Sequence, residues 1–226
     1  MTDSHEEKNL KVKKYMRLRK IRHGLLVSLS VGLFFIPAFA HQPRIVGNQT
    51  LIEVKNPDIS QAFYAKLNGS PQVYKIVSDK PLRLYVNLLV PALPNIDTDV
   101  SAEVYRGSEA PENLLKKLDG PSCVWTKFYE PFGGDTYLKG PEYEEPVAAG
   151  TYLVKVTSPD NQGKYAVAIG TKEKFPPGEI IRTIFVLPKL KKDFFEKSPL
   201  TAYFNLSGVF ILVVIGAVAG LSALFF

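Results

Sequence analysis

The sequence predicts an all-β fold, an antiparallel β-sandwich or jelly roll, with a hydrophobic segment at each end of the chain. Three observations carry this expectation. Short runs rich in Val, Ile, Tyr and Leu alternate with clusters of Pro, Gly, Asn and Asp. Within runs such as Tyr152-Leu153-Val154-Lys155-Val156 and Leu82-Arg83-Leu84-Tyr85-Val86, residues two apart share a face and leave one face apolar. Helical periodicity is scarce between the two ends, so strands must pack on strands.

Taken in chain order, residues 1–40 have the layout of a signal peptide. Eight Lys and Arg precede an uncharged run, 24–40, that closes on the small residues Ala38 and Ala40. An uncleaved signal anchor is the alternative, and both readings export the chain beyond residue 40. Strand candidates are 51–55, 62–67, 72–77, 82–90, 101–106, 124–129, 151–157 and 164–169, with turns at Asn68-Gly69-Ser70-Pro71 and Ser78-Asp79-Lys80-Pro81. These place an extracytoplasmic sandwich domain over 41–175. Residues 176–202 mix apolar and basic side chains and read as a juxtamembrane linker, partly amphipathic. It is either a helix lying on the membrane surface or a solvated stalk that packs partly on the sandwich, and Pro188 is expected to interrupt it. Residues 206–226 carry no charge and, at 1.5 Å rise per residue, cover roughly the 30 Å of a bilayer core. With Tyr203 and Phe204 as an interfacial belt, 203–226 reads as a transmembrane helix.

Charge and cysteine usage narrow the function classes. The chain carries +6 overall, but beyond residue 40 the balance is 20 basic against 19 acidic residues. That offers little attraction for phosphates, so nucleic acid is excluded as a partner. Cys123 is the only cysteine, which leaves no intrachain disulfide and makes burial the source of stability.

The run Pro146-Val147-Ala148-Ala149-Gly150-Thr151-Tyr152-Leu153-Val154-Lys155-Val156, followed by Gly163-Lys164-Tyr165-Ala166-Val167-Ala168-Ile169-Gly170, resembles the closing hairpin of bacterial pre-peptidase C-terminal domains. In that family an AGTY turn leads into one strand and a G-x-Y start into the next. Residues 72–90 are similar to the strand pair upstream. The resemblance implies a jelly-roll-like accessory domain that binds or positions, with no catalytic residues to carry over. No peptidase domain accompanies it.

Catalytic chemistry finds little material. Of three histidines, His5 and His23 lie in the leader and only His41 remains, so no Ser-His-Asp or Cys-His pair can form. A lone His41 is also too little for a copper site. The expectation is no enzyme, a carboxylate-based hydrolase being the remaining route. The richest segment is 125–146, which reads as a long loop. Its Trp125, Phe128, Tyr129, Phe132, Asp135 and Tyr137 are the candidate contact residues for a protein partner or a surface polysaccharide. Asp135, Glu130 and Glu142 are weak Ca²⁺ candidates, since no spacing matches a calcium loop. Otherwise no cofactor or metal is expected. A lid folded over one end of the sandwich is the competing reading of the same segment. Gly216 and Gly220 form a G-x-x-x-G pair through which two transmembrane helices could pack as a homodimer. The expected protein is thus a membrane-anchored, non-catalytic sandwich that binds or displays, or a structural subunit assembled through its span.

Overall fold

The computed structural model describes residues 15, 16, 41–206, 208, 209, 212 and 216. Residues 41–206 belong to one compact unit. The signal segment and most of the expected span lie outside the described residues. Among the described residues no helix is long and apolar enough to cross a membrane.

Eleven strands build the sandwich: β1 (Gln42–Ile45), β2 (Leu51–Val54), β3 (Gln61–Asn68), β4 (Gln72–Ser78), β5 (Leu82–Pro91), β6 (Ser101–Arg106), β7 (Leu114–Leu118), β8 (Thr126–Glu130), β9 (Asp135–Val147), β10 (Gly150–Thr157) and β11 (Gln162–Ile169). One sheet has the order β1-β3-β11-β5-β9-β8 and the other β2-β4-β10-β6-β7. All pairs are antiparallel except β1 with β3 and β2 with β4, which are parallel. The fully antiparallel sandwich expected from the sequence is therefore corrected at its two N-terminal edges. The chain from β1 to β4 alternates between the sheets, so β1 and β3, and likewise β2 and β4, run in the same direction.

The eight strand candidates all fall on observed strands. Three strands were not anticipated, and each has a local reason. β1 contains Pro43, β7 (Leu-Leu-Lys-Lys-Leu) does not alternate, and β9 contains Gly140, Pro141 and Pro146. β9 tolerates its prolines because only Asp135 to Lys139 pair with β8. Beyond Gly140 it has β5 alone as a neighbour, and a missing N–H can face the open side. At the register shift opposite β9, buried Asn87 donates to the carbonyls of Gly140 (3.3 Å) and Pro141 (3.2 Å).

Between the sheets lie Leu84, Val86, Leu88 and Val90 of β5, Tyr74 and Ile76 of β4, Tyr152, Val154 and Val156 of β10, and Tyr165, Val167 and Ile169 of β11. Their hydroxyls are satisfied internally. Tyr74 and Tyr165 are joined at 2.8 Å, Tyr165 donates to Gln72 Oε1 at 2.8 Å, and Tyr152 donates to the Ala148 carbonyl at 2.8 Å.

A third layer covers the six-stranded sheet. Helix α1 (Pro177–Asp193) opens with Pro177 in its first turn and closes with Lys191 and Lys192 near its C-terminus, both favourable placements. It passes through Pro188 without ending there. The Ile184 carbonyl, which Pro188 cannot serve, accepts a long bond from the Tyr203 hydroxyl at 3.4 Å. Leu190, Phe194 and Phe195 are buried against Leu89, Tyr137, Ala166 and Ala168. Ala166 and Ala168 are the outward residues of β11, and their small side chains leave room for the helix. Arg44 of β1 holds Glu179 with two contacts, at 2.7 and 3.2 Å, fixing the other end of α1. The segment expected as a linker packs on the sandwich through Leu190, Phe194 and Phe195.

Candidate functional site

The segment read as a long loop is a β-hairpin. β8 pairs with β9 from Thr126 opposite Lys139 to Glu130 opposite Asp135, leaving four residues for the turn. Gly134 takes φ +69 there, a left-handed conformation suited to glycine, and its N–H reaches the Glu130 carbonyl at 2.9 Å. Glu130 caps the turn by accepting from the N–H groups of Phe132 (2.7 Å) and Gly133 (2.6 Å). Burial raises the Glu130 pKa, and these two bonds oppose that rise.

Asp135, the first residue of β9, is buried, with 3% of its surface exposed, and Lys191 opposite it has 1%. Lys191 Nζ lies 2.6 Å from Asp135 Oδ2 and also donates to the Gly133 carbonyl. Lys197 Nζ lies 2.9 Å from Asp135 Oδ1. Both ammonium groups stand over the Phe195 ring, at 5.8 and 5.7 Å from its centroid. Asn205 adds a bond from Nδ2 to the Gly133 carbonyl at 2.7 Å. The chain turns at Glu196, in a left-handed conformation, to bring Lys197 back onto the cluster. The hairpin therefore gathers three side chains from the segment after the sandwich, two lysines on Asp135 and Asn205 on the Gly133 carbonyl. A charge removed from water in this way must be paired, so any other docking of the tail would leave Asp135 unpaired.

The six contact candidates divide sharply. Tyr137 is buried under the tail: its hydroxyl meets that of Tyr64 at 2.7 Å and its ring packs edge-on against Phe195 at 5.2 Å. Burial raises the Tyr137 pKa well above the usual phenol value. Trp125 is half-buried, donates from Nε1 to the Gly120 carbonyl at 3.0 Å and lies flat on Gly140, where an added Cβ would come within 2.5 Å of the indole. Phe132 is half-buried in the turn, and Asp135 is held by lysines. Only Phe128 and Tyr129 are exposed, at 40% and 60%, and they sit on β8, the free edge of the six-stranded sheet.

The calcium candidates do not converge. Glu130 faces backbone N–H groups, Asp135 faces lysines, and Glu142 pairs with Lys139 at 2.8 Å and accepts from Tyr85 at 3.3 Å. Among the described residues no group of three acidic, histidine or cysteine side chains could hold a metal ion. His41 accepts or donates at 2.5 Å with Ser60 Oγ, and burial lowers its pKa to about 4. Of the glycine pair, Gly216 is described as helical and Gly220 lies outside the described residues.

Elsewhere, an open groove of about 440 Å³ lies between Lys80–Arg83 and Pro146–Ala148 at the far end of the same sheet. Two of its three cations are engaged, Arg83 with Glu144 at 2.6 Å and Lys172 with Asp58 at 3.0 Å. The residues missed from sequence are Lys191, Lys197 and Asn205. No local motif announces them. The available signal was β11, whose Tyr165-Ala166-Val167-Ala168-Ile169 is apolar on both faces and so demands a layer on each side.

No family model matches the chain, and no curated protein matches it. Among solved structures it is similar to the pre-peptidase C-terminal domain of a collagenase from Bacillus anthracis, at 10% identity over 57% of this chain and 95% of that one, with a TM-score of 0.32. It is also similar to CorA of Methylomicrobium album BG8, a surface-associated copper-binding protein, at 8% identity over 57% of this chain and all of that one, with a TM-score of 0.28. A β-glucosidase from Kluyveromyces marxianus shares 17% identity over 53% of this chain and 13% of its own length, at a TM-score of 0.27. The resemblance read from the sequence is thus met by a weak structural likeness. Scores of this size carry no functional weight, and copper and glucose stay with those proteins.

Proposed function

We propose that this protein is a non-catalytic, membrane-attached β-sandwich outside the cytoplasm that presents the edge strand β8 to a partner. The observation that supports it best is the division within the hairpin. Of its six candidate contact residues, Trp125, Asp135 and Tyr137 are held by the core or the tail and Phe132 is half-buried in the turn, while Phe128 and Tyr129 stay exposed on a strand that is the sheet's edge among the described residues. An extended segment of a partner protein can add to such an edge, taking its hydrogen bonds from the backbone and its specificity from the two aromatic rings. A surface polysaccharide could stack on the same rings. The uncharged run that begins at residue 206 is the proposed anchor, and the tail that leads to it packs on the sandwich.

The docking of the tail on the sandwich also favours a second reading, a bracing subunit whose span packs with other membrane proteins. A photo-crosslinking residue at Tyr129 tests the first reading, with Val77, exposed on the opposite sheet, as control. Presentation through β8 predicts adducts at position 129 and none at 77. Equal yields at both positions, or none at either, contradict it. For topology, Val124→Cys with Cys123→Ser should react with a membrane-impermeant maleimide on intact cells, because Val124 is 85% exposed. Labelling only after lysis would overturn the exported orientation.

A further inference from the structure

Helix α1 buries one side on the sandwich and leaves the other apolar. Ile181 and Phe185, one turn apart, are exposed, Phe185 at 74%. The next turn of chain brings three more apolar side chains to the surface: Leu200, Tyr203 and Phe204, the last at 84%. The Tyr203 hydroxyl bonds the Ile184 carbonyl, so this turn lies alongside the helix and the five side chains belong to one region. Arg182, Lys189 and Lys192 are exposed on the same helix, whose acids are Glu179, taken by Arg44, and Asp193. Five large apolar side chains exposed in one region are uncommon without something to cover them.

We propose that this surface lies in the interface of a lipid bilayer, with Phe185, Leu200 and Phe204 among the upper acyl chains and Arg182, Lys189 and Lys192 at the headgroup phosphates. Two features select lipid over a protein partner. Two residues after Phe204 begins the uncharged run 206–226, long enough to span hydrocarbon, so the patch sits at the chain's own point of entry. The composition, aromatic and aliphatic residues bordered by long cationic side chains, is that of interfacial segments, whose ammonium and guanidinium heads reach the phosphates while their stems stay apolar. Phe194 and Phe195 are buried against the sheet, and the lipid-facing residues are Ile181 and Phe185 on the helix with Leu200 and Phe204 on the turn after it. The sandwich then lies against the bilayer through α1 and does not stand off on a stalk.

The inference rests on the membrane-attached reading, and the test separates the two. The full chain with Cys123→Ser and Phe185→Cys is spin-labelled and reconstituted in vesicles of phosphatidylcholine and phosphatidylglycerol, with Ile181→Cys as a second reporter and Val77→Cys as the aqueous control. Power saturation then compares collisions with oxygen, which concentrates in lipid, and with a nickel chelate, which stays in water. The expected result is an oxygen-to-nickel ratio several-fold higher at 185 and 181 than at 77. A ratio equal to that at 77 overturns the inference, because the surface then faces water. Low accessibility to both reagents also overturns it, in favour of a protein cover. Flotation of the vesicles reads the other claim: if the chain does not float, the membrane-attached reading fails and this inference with it; if it floats but 185 behaves like 77, only the inference fails.

Discussion

The six-stranded sheet is covered on both faces, and the two covers are built on different principles. The inner face meets the other sheet through aliphatic and tyrosine side chains that alternate along β5, β10 and β11 and contains no charge. The outer face meets α1 and its following turn through fewer apolar groups, Leu190, Phe194 and Phe195, around one buried acid and its two lysines. Each of those three apolar side chains contributes about 1.5–3 kcal/mol of burial. The inner layer gains stability chiefly from area, and its aliphatic positions would accept apolar residues of similar volume. The outer layer gives up some of that gain to desolvating charge and is held to a single docking position as a result.

That contrast can be broken at several points. Lys191→Ala should cost most, about 3–5 kcal/mol, because Asp135 keeps only the half-exposed Lys197. Urea unfolding of the detergent-solubilised chain, followed by Trp125 fluorescence, measures it. Asp135→Leu combined with Lys191→Met removes both buried charges and should recover most of the loss. If the pair is no better than the single variant, the cluster does not work through charge. Leu84→Ala in the inner layer should cost about 3 kcal/mol with no such rescue from a neighbouring apolar swap. Gly140→Ala forces the Trp125 indole off the strand and should cost about 1–3 kcal/mol with a red-shifted emission.

The smallest effect belongs to pH. His41 titrates near 4 in the folded protein against about 6.5 unfolded, so the unfolded chain binds the extra proton between those values. Its contribution is therefore complete above pH 6.5 and is lost as pH falls through 4. It amounts to at most about 3 kcal/mol, reduced because solvent reaches the half-buried ring. His41→Gln should flatten the stability curve over that interval. A curve of unchanged slope would leave His41 with no part in the pH response.

The inner layer was legible in the sequence because strand alternation is local. Leu82, Leu84 and Val86 declare a face within five residues, as do Tyr152, Val154 and Val156. The hairpin was misread as a loop because Gly140, Pro141 and Pro146 look like breakers until the open edge of β9 explains them. Its aromatics stand close together in sequence, yet their surroundings depend on a distant tail. Asp135 meets Lys191 across 56 positions, and no spacing rule encodes such a meeting. β1 and β2 were illegible in direction, since pairing sense follows from how the chain crosses between the sheets.

The joint between sandwich and tail is the claim on which the rest depends, and native-state hydrogen exchange reads it directly. The amides of Phe194, Phe195 and Lys197, bonded to the carbonyls of Leu190 and Lys191, should exchange within about tenfold of those in β11, because both open only with the domain. Exchange at these three amides near the rate of an unstructured chain, while β11 stays protected, would mean that the tail is not part of the fold.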